Sequence, residues 1–473
     1  MSGRYGVVSL LAALALAACR VGPPGPDPVP ARPAPVGTTP FADPQGTGYD
    51  DTAAPYDDTA APYDDTAAPY DDTAAAEASP SAMAVATQVP ADSSTFEVEW
   101  RDEVTRVDAA QAALLLASDL AAGVFELDAA GVRAAGLDLG AGRVLVLDGL
   151  AVARITGVEP RGDRLIVQTE DATLVDAIER GTIAWEHDIR FAAERIAPPV
   201  VGGKTVEPQG DTLSFRIDLE SYAVAVEVKL LGERCEFKLE LEKDLPGEAG
   251  AKFAIEGFLE TFTSRDRIDI EGGAVKAFEH GLDGLRGEAT LSATVAASGR
   301  DMFNSSLPIP LLEIPFTVGP IPVSLKLTAQ LLVNALIPLE GSARAEVKFA
   351  YDSALGFSYR GGRIRAGGRL GDHEIGEQAE PHVGAAGAAA VNFGVGFPRV
   401  ELSILRKSVV PWAQLAYLVG GSFTFRPACQ LMQALILGAA GYKLSVLGIL
   451  DLAEDSIEFF REERTLLRAG ECP

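Results

Sequence analysis

The chain has few of the side chains on which catalytic and metal sites are built. Its 473 residues include only four histidines and four cysteines. No serine lies in a Gly-x-Ser-x-Gly elbow, because Ser358 is followed at the second position by Arg360 where that motif needs glycine. No glycine run has the spacing of a phosphate or dinucleotide loop. The sequence therefore predicts no cofactor and favours a protein that is not an enzyme.

Positive charge is also scarce. Lysine and arginine number 40 against 67 aspartates and glutamates, a net charge of −27. Nucleic-acid-binding proteins present clustered basic side chains, and this chain has no basic cluster interleaved with aromatics. We therefore expect no nucleic-acid partner and no electrostatic binding to anionic headgroups.

One group of possible metal ligands stands out weakly. Asp372, His373 and Glu374 are consecutive, and His382 follows in the same glycine- and alanine-rich stretch. These are suitable donors, but their spacing matches no recurring zinc pattern. The expectation is that no metal is bound here.

The apolar run near the start of the chain is too short to span a bilayer as a helix. This stretch, Val7 to Leu16, has about ten residues, where about 20 are needed. Arg4 precedes that stretch and small residues follow it, which is the pattern of a secretory signal peptide covering residues 1–18. An uncleaved membrane helix is the alternative, and the prolines that follow from Pro23 disfavour it.

The sequence Leu16-Ala17-Ala18-Cys19 resembles the lipobox of bacterial lipoproteins. The resemblance implies that Cys19 becomes the lipidated first residue of the mature protein. It also implies a cell-envelope location, with Arg20 at the next position favouring the outer membrane. Two or more acyl chains hold a protein on a membrane where a single chain does not. The expected membrane contact is therefore the lipid anchor.

Residues 19–94 are predicted to be a disordered tether. A seven-residue repeat, Tyr-Asp-Asp-Thr-Ala-Ala-Pro, begins at Tyr49, Tyr56, Tyr63 and Tyr70. Proline in the repeat excludes a coiled coil, and residues 20–94 carry twelve acidic and two basic side chains, a net of −10. Calcium binding by the paired aspartates is a weaker alternative, since nothing fixes them into a coordination cage.

Residues 95–200 are predicted to form a small β-rich domain. Short runs rich in valine, isoleucine and leucine occur at 143–147, 151–158 and 164–169, and Arg161-Gly162-Asp163 fits the turn between the last two. The same tripeptide resembles an adhesion motif, but a hairpin turn is the simpler interpretation. Helices are predicted at 109–121 and 172–180, the second closed by Gly181.

Residues 208–473 are predicted to form a large antiparallel β domain. Apolar residues alternate with polar ones from Val323 to Val333 and from Ala343 to Tyr351, and similar runs lie at 213–219, 235–241, 289–297 and 391–397. The break at 337–341 predicts that the first two runs form one antiparallel pair. Helical cover is expected at 430–440 and 452–468. The fold class is thus mainly β, a long-stranded antiparallel sandwich or curved sheet with minor helices.

Three cysteines remain after Cys19, so one disulfide at most can form within the chain. Cys429 with Cys472 is the preferred pair because it would fix the C-terminal tail, although the other two pairings stay open. Cys235 shares an apolar strand face with Phe237 and Leu239 and is predicted to be a buried thiol.

Three functions fit these features. The first is a lipid-anchored envelope protein that acts as a non-enzymatic binding or structural module for an unknown protein partner. The second is a carrier that encloses a lipid or another hydrophobic ligand between amphipathic sheets. An envelope hydrolase is the third, disfavoured by the missing nucleophile and metal motifs.

Overall fold

The computed structural model describes residues 87–219, 222–244, 250–297, 301–337, 341–385, 389–405, 407–425, 428–442 and 455–472. The predicted signal peptide, Cys19 and nearly all of the predicted tether lie outside these residues. Within them the fold is mainly β, as the sequence predicts. Two short α-helices, Ala129–Ala134 and Leu174–Ala177, and three 3₁₀ helices, Ala91–Ser93, Ala109–Leu114 and Ala193–Arg195, accompany the strands. No helix in this part of the chain is long and apolar enough to cross a membrane.

A small six-stranded sheet is formed by residues 104–171. Its strands are β3 (Val104–Val107), β4 (Leu115–Asp119), β5 (Val124–Asp128), β6 (Val144–Leu147), β7 (Ala151–Arg161) and β8 (Arg164–Asp171), in the order β3-β6-β7-β8-β5-β4. It has an apolar core of its own around Phe125, Leu127 and Val167. The predicted hairpin is confirmed, since β7 and β8 pair directly around Gly162, whose φ is 65°.

The larger of two long-stranded sheets is forked. It contains β2 (Ser94–Trp100), β9 (Ile178–Ile189), β12 (Thr212–Leu219), β13 (Tyr222–Leu230), β14 (Arg234–Asp244), β15 (Gly250–Glu260), β16 (Phe262–Glu271), β17 (Val275–Ala297), β20 (Gly341–Arg360) and β21 (Arg363–Ala385). One edge of β17 pairs with β16 along its first half and with β15 along its second half, while its other edge pairs with β20. Two branches, β16-β9-β2 and β15-β14-β13-β12, therefore leave the same strand.

The second long-stranded sheet has seven strands in the order β1-β18-β19-β22-β23-β24-β25. They are β1 (Thr87–Gln88), β18 (Asp301–Val318), β19 (Ile321–Ile337), β22 (Ala389–Ile404), β23 (Lys407–Phe425), β24 (Ala428–Tyr442) and β25 (Asp455–Gly470), and β10 (Val200–Val201) pairs with β11 (Lys204–Thr205) apart from it. Aromatic contacts join the two long-stranded sheets face to face: Phe237 with Phe397, Phe253 with Phe393, and Phe349 with Tyr417.

Two strands from the predicted first domain belong to the forked sheet. Strands β2 and β9 fall within 95–200, yet β9 pairs with both β2 and β16. Ile183, Trp185 and Ile189 of β9 are buried in the large core, which extends that sheet by one branch.

The predicted pairing of 323–333 with 343–351 is wrong. Strand β19 pairs with β18 and β22, whereas β20 pairs with β17 and β21 of the opposite sheet. Alternation specifies which face of a strand is buried, and both strands bury theirs between the sheets. It does not specify a neighbour.

The helices predicted at 430–440 and 452–468 are also wrong where the structure describes them, because these residues lie in β24 and β25. Residues 434–440 of β24 are all buried, so this strand shows no alternation. A continuous apolar run cannot be distinguished from a buried helix by periodicity. Of the other predicted helices, 109–121 is a 3₁₀ helix followed by β4, and 172–180 is a four-residue helix followed by β9.

Candidate functional site

A groove of about 870 Å³ lies on the outer face of the forked sheet. It crosses β2, β9, β16, β17, β20 and β21, so its long direction runs across the strands. Side chains on β16 alternate strictly, with Ser264 and Asp266 buried and Arg265 and Arg267 exposed. The groove is therefore lined by the exposed set.

Three glycines in register form the floor of the groove. Arg265 is opposite Gly281, Gly281 is opposite Gly356, and Gly356 is opposite Gly367. A Cβ atom placed on Gly281 or Gly356 would meet no atom closer than 3.5 Å, and one on Gly367 would meet nothing within 4 Å. The space exists because these three positions have no side chains, and larger residues could occupy it without displacing the backbone.

Ion pairs hold the walls near β16 and β17. The Arg265 guanidinium contacts Glu186 at 3.1 Å and Asp283 at 2.8 Å, and Arg267 contacts Asp269 at 2.9 Å. The hydrogen bond that Arg265 donates to Glu186 is the main cause of the raised pKa of Arg265. These side chains are both charged and fixed in direction by their partners.

The β21 end of the groove differs because its arginines are unpaired. Arg363, Arg365 and Arg369 are exposed at alternate positions with Gly367 on the outer face of β21, and Arg365 lines the groove. The side chain of none of the three has an ion pair or hydrogen bond with any residue that the structure describes. This end therefore presents uncompensated positive charge on a strongly acidic protein.

The opposite end of the groove lies where the chain enters the sheet. Asp92, Ser93, Ser94 and Thr95 line it, immediately after β1 and at the start of β2. A second, shallower groove of about 690 Å³ lies beside the first, and its lining includes Glu97, Glu99, Asp269 and Glu271. Arg180 and Lys276 also line this second groove, and Arg180 forms an ion pair with Glu99.

A buried polar cluster lies on the inner face of the same strands. Asp266 on β16 is opposite His280 on β17, and the carboxylate is 2.6 Å from His280 Nδ1. The Ser264 hydroxyl donates to the other carboxylate oxygen, also at 2.6 Å. Asp266 and His280 border the groove through their strands, but Ser264, Asp266 and His280 are at most 2% exposed, so their side chains are closed to solvent.

Two orphan nitrogens flank this cluster. His280 Nε2 and Trp185 Nε1 are buried without a hydrogen-bond partner among the described residues, and Trp185 is opposite Asp266 on the other side. His187 is opposite Ser264, and its ring lies 4.8 Å from that of Phe316. Burial lowers the pKa of His187, and Arg195 lowers it further while Asp188 opposes the change. The cluster resembles part of an acid–base site but has no accessible nucleophile or substrate space.

Sequence reasoning missed this cluster, although a signal was present. In residues 262–270, Phe262, Ser264, Asp266, Ile268 and Ile270 share one strand face. An aspartate in the apolar phase of an alternating strand requires a buried partner. A search for charged residues at the apolar positions of alternating strands would have found Asp266.

The predicted site residues have separate outcomes. Cys19 lies outside the described residues. Cys429 and Cys472 form the predicted disulfide, and Cys235 is a buried free thiol. Asp372, His373 and Glu374 are exposed on β21, and the His373 ring is 3.0 Å from the Gly371 carbonyl.

His382 lies on the same strand as those three residues, and its side chain is outside the description. Eight to ten residues of strand separate its backbone from theirs by about 26–33 Å, too far to share one ion. Across the part of the chain that the structure describes, no group of three or more histidine, cysteine, aspartate or glutamate side chains could hold a metal.

Comparisons of the chain with protein-family models, with curated proteins and with solved structures found no match.

Proposed function

We propose that this protein is a lipid-anchored component of the cell envelope whose β body acts as a non-enzymatic binding module. The outer groove is its binding surface. The observation that carries this proposal is a groove of about 870 Å³ with an open glycine floor, fixed charges along its walls and uncompensated arginines at one end. Binding sites combine a concave space with a few oriented polar groups, and this groove has both.

The lipobox residues support the anchored location. The spacer between Cys19 and the first described strand residue, Thr87, contains 67 residues. A flexible chain of that length averages about 45 Å from end to end. Such a spacer gives the groove access to ligands beyond the lipid headgroups.

The binding role is tested by filling the groove. The full chain, G356V/G367V and the control G376V are applied to arrays of envelope glycans and peptides. Gly376 is a strand glycine outside the groove whose added Cβ would have at least 3.6 Å of room. We expect some array ligands to bind the wild type and the control G376V but not G356V/G367V. Identical binding by all three chains would refute the groove as the site.

A carrier function is the second candidate, and one interior feature favours it. The hydroxyls of Tyr351 and Tyr417 are buried between the sheets with their rings 5.5 Å apart, and among the described residues neither has a hydrogen-bond partner other than the second tyrosine. Burial raises the pKa of both phenols, so both remain neutral donors. The polar group of an enclosed ligand would satisfy them. Organic extraction of the purified full chain should then release one lipid per protein, and a lipid-free extract from folded protein would exclude this function.

A hydrolase is less well supported. Ser264, Asp266 and His280 are the residues that come closest to a catalytic arrangement, but Ser264 donates to Asp266 and not to the histidine. A nucleophile activated by a base needs a hydrogen bond to that base.

A further inference from the structure

We infer that the acidic repeats of residues 49–76 bind in cis to Arg363, Arg365 and Arg369 on the outer face of β21, of which Arg365 lines the end of the groove. This inference rests on the proposed function, because it takes the groove to be a binding surface. The repeats would act as a mask that an external ligand has to displace.

Charge complementarity is the first argument. The four repeats contain eight aspartates, in pairs seven residues apart, and no basic residue. The two other arginines that line the groove, Arg265 and Arg267, already have carboxylate partners. Arg363, Arg365 and Arg369 have none among the described residues. Planar guanidinium groups bind carboxylates in bidentate fashion, so paired aspartates suit this end of the groove.

The entry point of the chain is the second argument. Asp92, Ser93 and Ser94 line the end of the groove opposite the arginines, and five residues before Asp92 the chain is paired as β1 with β18 of the second sheet. The segment that would reach the arginines therefore joins the fold at Thr87. From β2 to β21 there are five strand spacings, about 24 Å. Ala76, the last repeat residue, precedes Thr87 by 11 residues, and Tyr49, the first, precedes it by 38.

Those chain lengths match the distance. A flexible chain of 11 residues averages about 18 Å end to end, and one of 38 residues about 34 Å. The distance to the arginines is within this range. A linker whose average length matches the span gives an effective concentration of the order of millimolar.

Tethering also explains why an acidic segment would be the occupant. The folded part carries about −18 of the net charge, so a free acidic ligand is repelled at long range. A segment of the same chain stays near the groove in spite of that repulsion, because it is covalently attached. Its binding should weaken as salt screens the contacts.

Photocrosslinking in the full chain tests the inference. Tyr63, in the third repeat, is replaced by p-benzoylphenylalanine, and crosslinked peptides are identified by mass spectrometry. We expect crosslinks to residues 354–371 within single chains. Their yield should fall at least about fivefold in R363Q/R365Q/R369Q, and similarly at about 0.5 M salt.

The matched control is R216Q/R234Q/R286Q. It removes the same charge from three exposed arginines that already have partners, Asp218, Glu236 and Asp352. Its crosslink yield should equal that of the wild type. Equal losses in the two triple variants, crosslinks spread over the body, or crosslinks between two chains would each overturn docking in cis.

A second arm separates this inference from the proposed function. The eight repeat aspartates are changed to asparagine, and binding of the array ligands is measured on the full chain. If the repeats mask the groove, the affinity for those ligands should rise at least about threefold. Unchanged affinity would overturn the mask while leaving the groove as the binding site. Binding of phosphatidylglycerol vesicles to the wild type through the three arginines would also overturn the mask, because the arginines would then not be occupied by the repeats.

Discussion

At the scale of single residues, the buried cluster of Ser264, Asp266 and His280 is the largest departure from an apolar interior. One carboxylate accepts hydrogen bonds from both other side chains. Removing an acceptor that satisfies two buried donors leaves both desolvated, which costs about 1–3 kcal/mol for each. The cluster is therefore expected to fix the register of β9, β16 and β17 at a site where apolar packing alone would allow slippage.

Changing Asp266 tests this role. Asp266→Ala should lower the free energy of unfolding by about 3 kcal/mol, because Ser264 and His280 both lose their acceptor. Asp266→Asn should cost about 1 kcal/mol, since its amide can still satisfy both neighbours. Urea denaturation of the full chain measures both, with D218A as an exposed control. Equal, small losses in all three would show that the cluster carries no stability.

His187 should make stability depend on pH. Burial lowers its pKa below the ordinary value of 6.5. Between that value and the lower folded one, the unfolded chain binds a proton that the folded chain does not, so stability falls as the pH falls through about 6.5. The urea midpoint should drop between pH 7.5 and 5.5, and the drop should be smaller in H187Q. The exposed control H373Q should behave as the wild type, and an unaltered drop in H187Q would remove His187 as the cause.

At the scale of elements, the sequence predicted strands better than their partners. Period-two alternation located β12, β14, β19 and β20, because one buried and one wet face leaves that pattern in any antiparallel strand. It failed at β24, where both faces are buried. Partner choice depends on contacts between residues far apart in the chain, which explains why β19 and β20 were wrongly paired.

The groove could not be predicted for the same reason. Gly281, Gly356 and Gly367 are separated by 75 and 11 residues and come together only through strand register. In the sequence, each is an isolated glycine. The arginines of β21 were visible, but their lack of partners depends on which carboxylates the fold brings near.

Glycines in the forked sheet should therefore differ sharply in how much stability the protein loses when they are replaced by alanine. A Cβ on Gly287 of β17 would overlap the Phe258 carbonyl and the Tyr351 hydroxyl, whereas one on Gly367 would meet nothing. G287A should cost about 1–3 kcal/mol and G367A less than about 0.5. Thermal melting of the two variants measures the difference. Similar melting temperatures would contradict the register that places these glycines.

The disulfide should stabilise the C-terminal strand. It links Cys429 in β24 to Cys472, two residues after the end of β25, across a sequence separation of 43. Closing a loop of this length restricts the unfolded chain by about 4 kcal/mol in the chain-entropy model. C429S/C472S should lose about 2–4 kcal/mol in urea, and reduced wild type should match it. Cys235 does not interfere, since burial raises its pKa to about 12. An unchanged midpoint would show that the bond is dispensable.

At the scale of the whole molecule, an expected lipid anchor and spacer precede a folded body with a charged outer groove. The anchor and spacer were inferred from residues 1–94, and the groove from the fold. The first prediction at this scale concerns location. Cys19→Ser should move the protein from the membrane fraction to the soluble fraction, because it removes the acyl chains that hold the protein. Retention of C19S on membranes would contradict lipid anchoring.

The central claim is that the outer groove binds the ligand. Its most direct test is calorimetric titration of the strongest array ligand into the full chain, G356V/G367V and the control G376V. The account predicts that filling the groove weakens binding at least about tenfold, equivalent to 1.4 kcal/mol, and that the control stays within about twofold. Equal affinity for all three chains would show that the ligand binds elsewhere and would contradict the account.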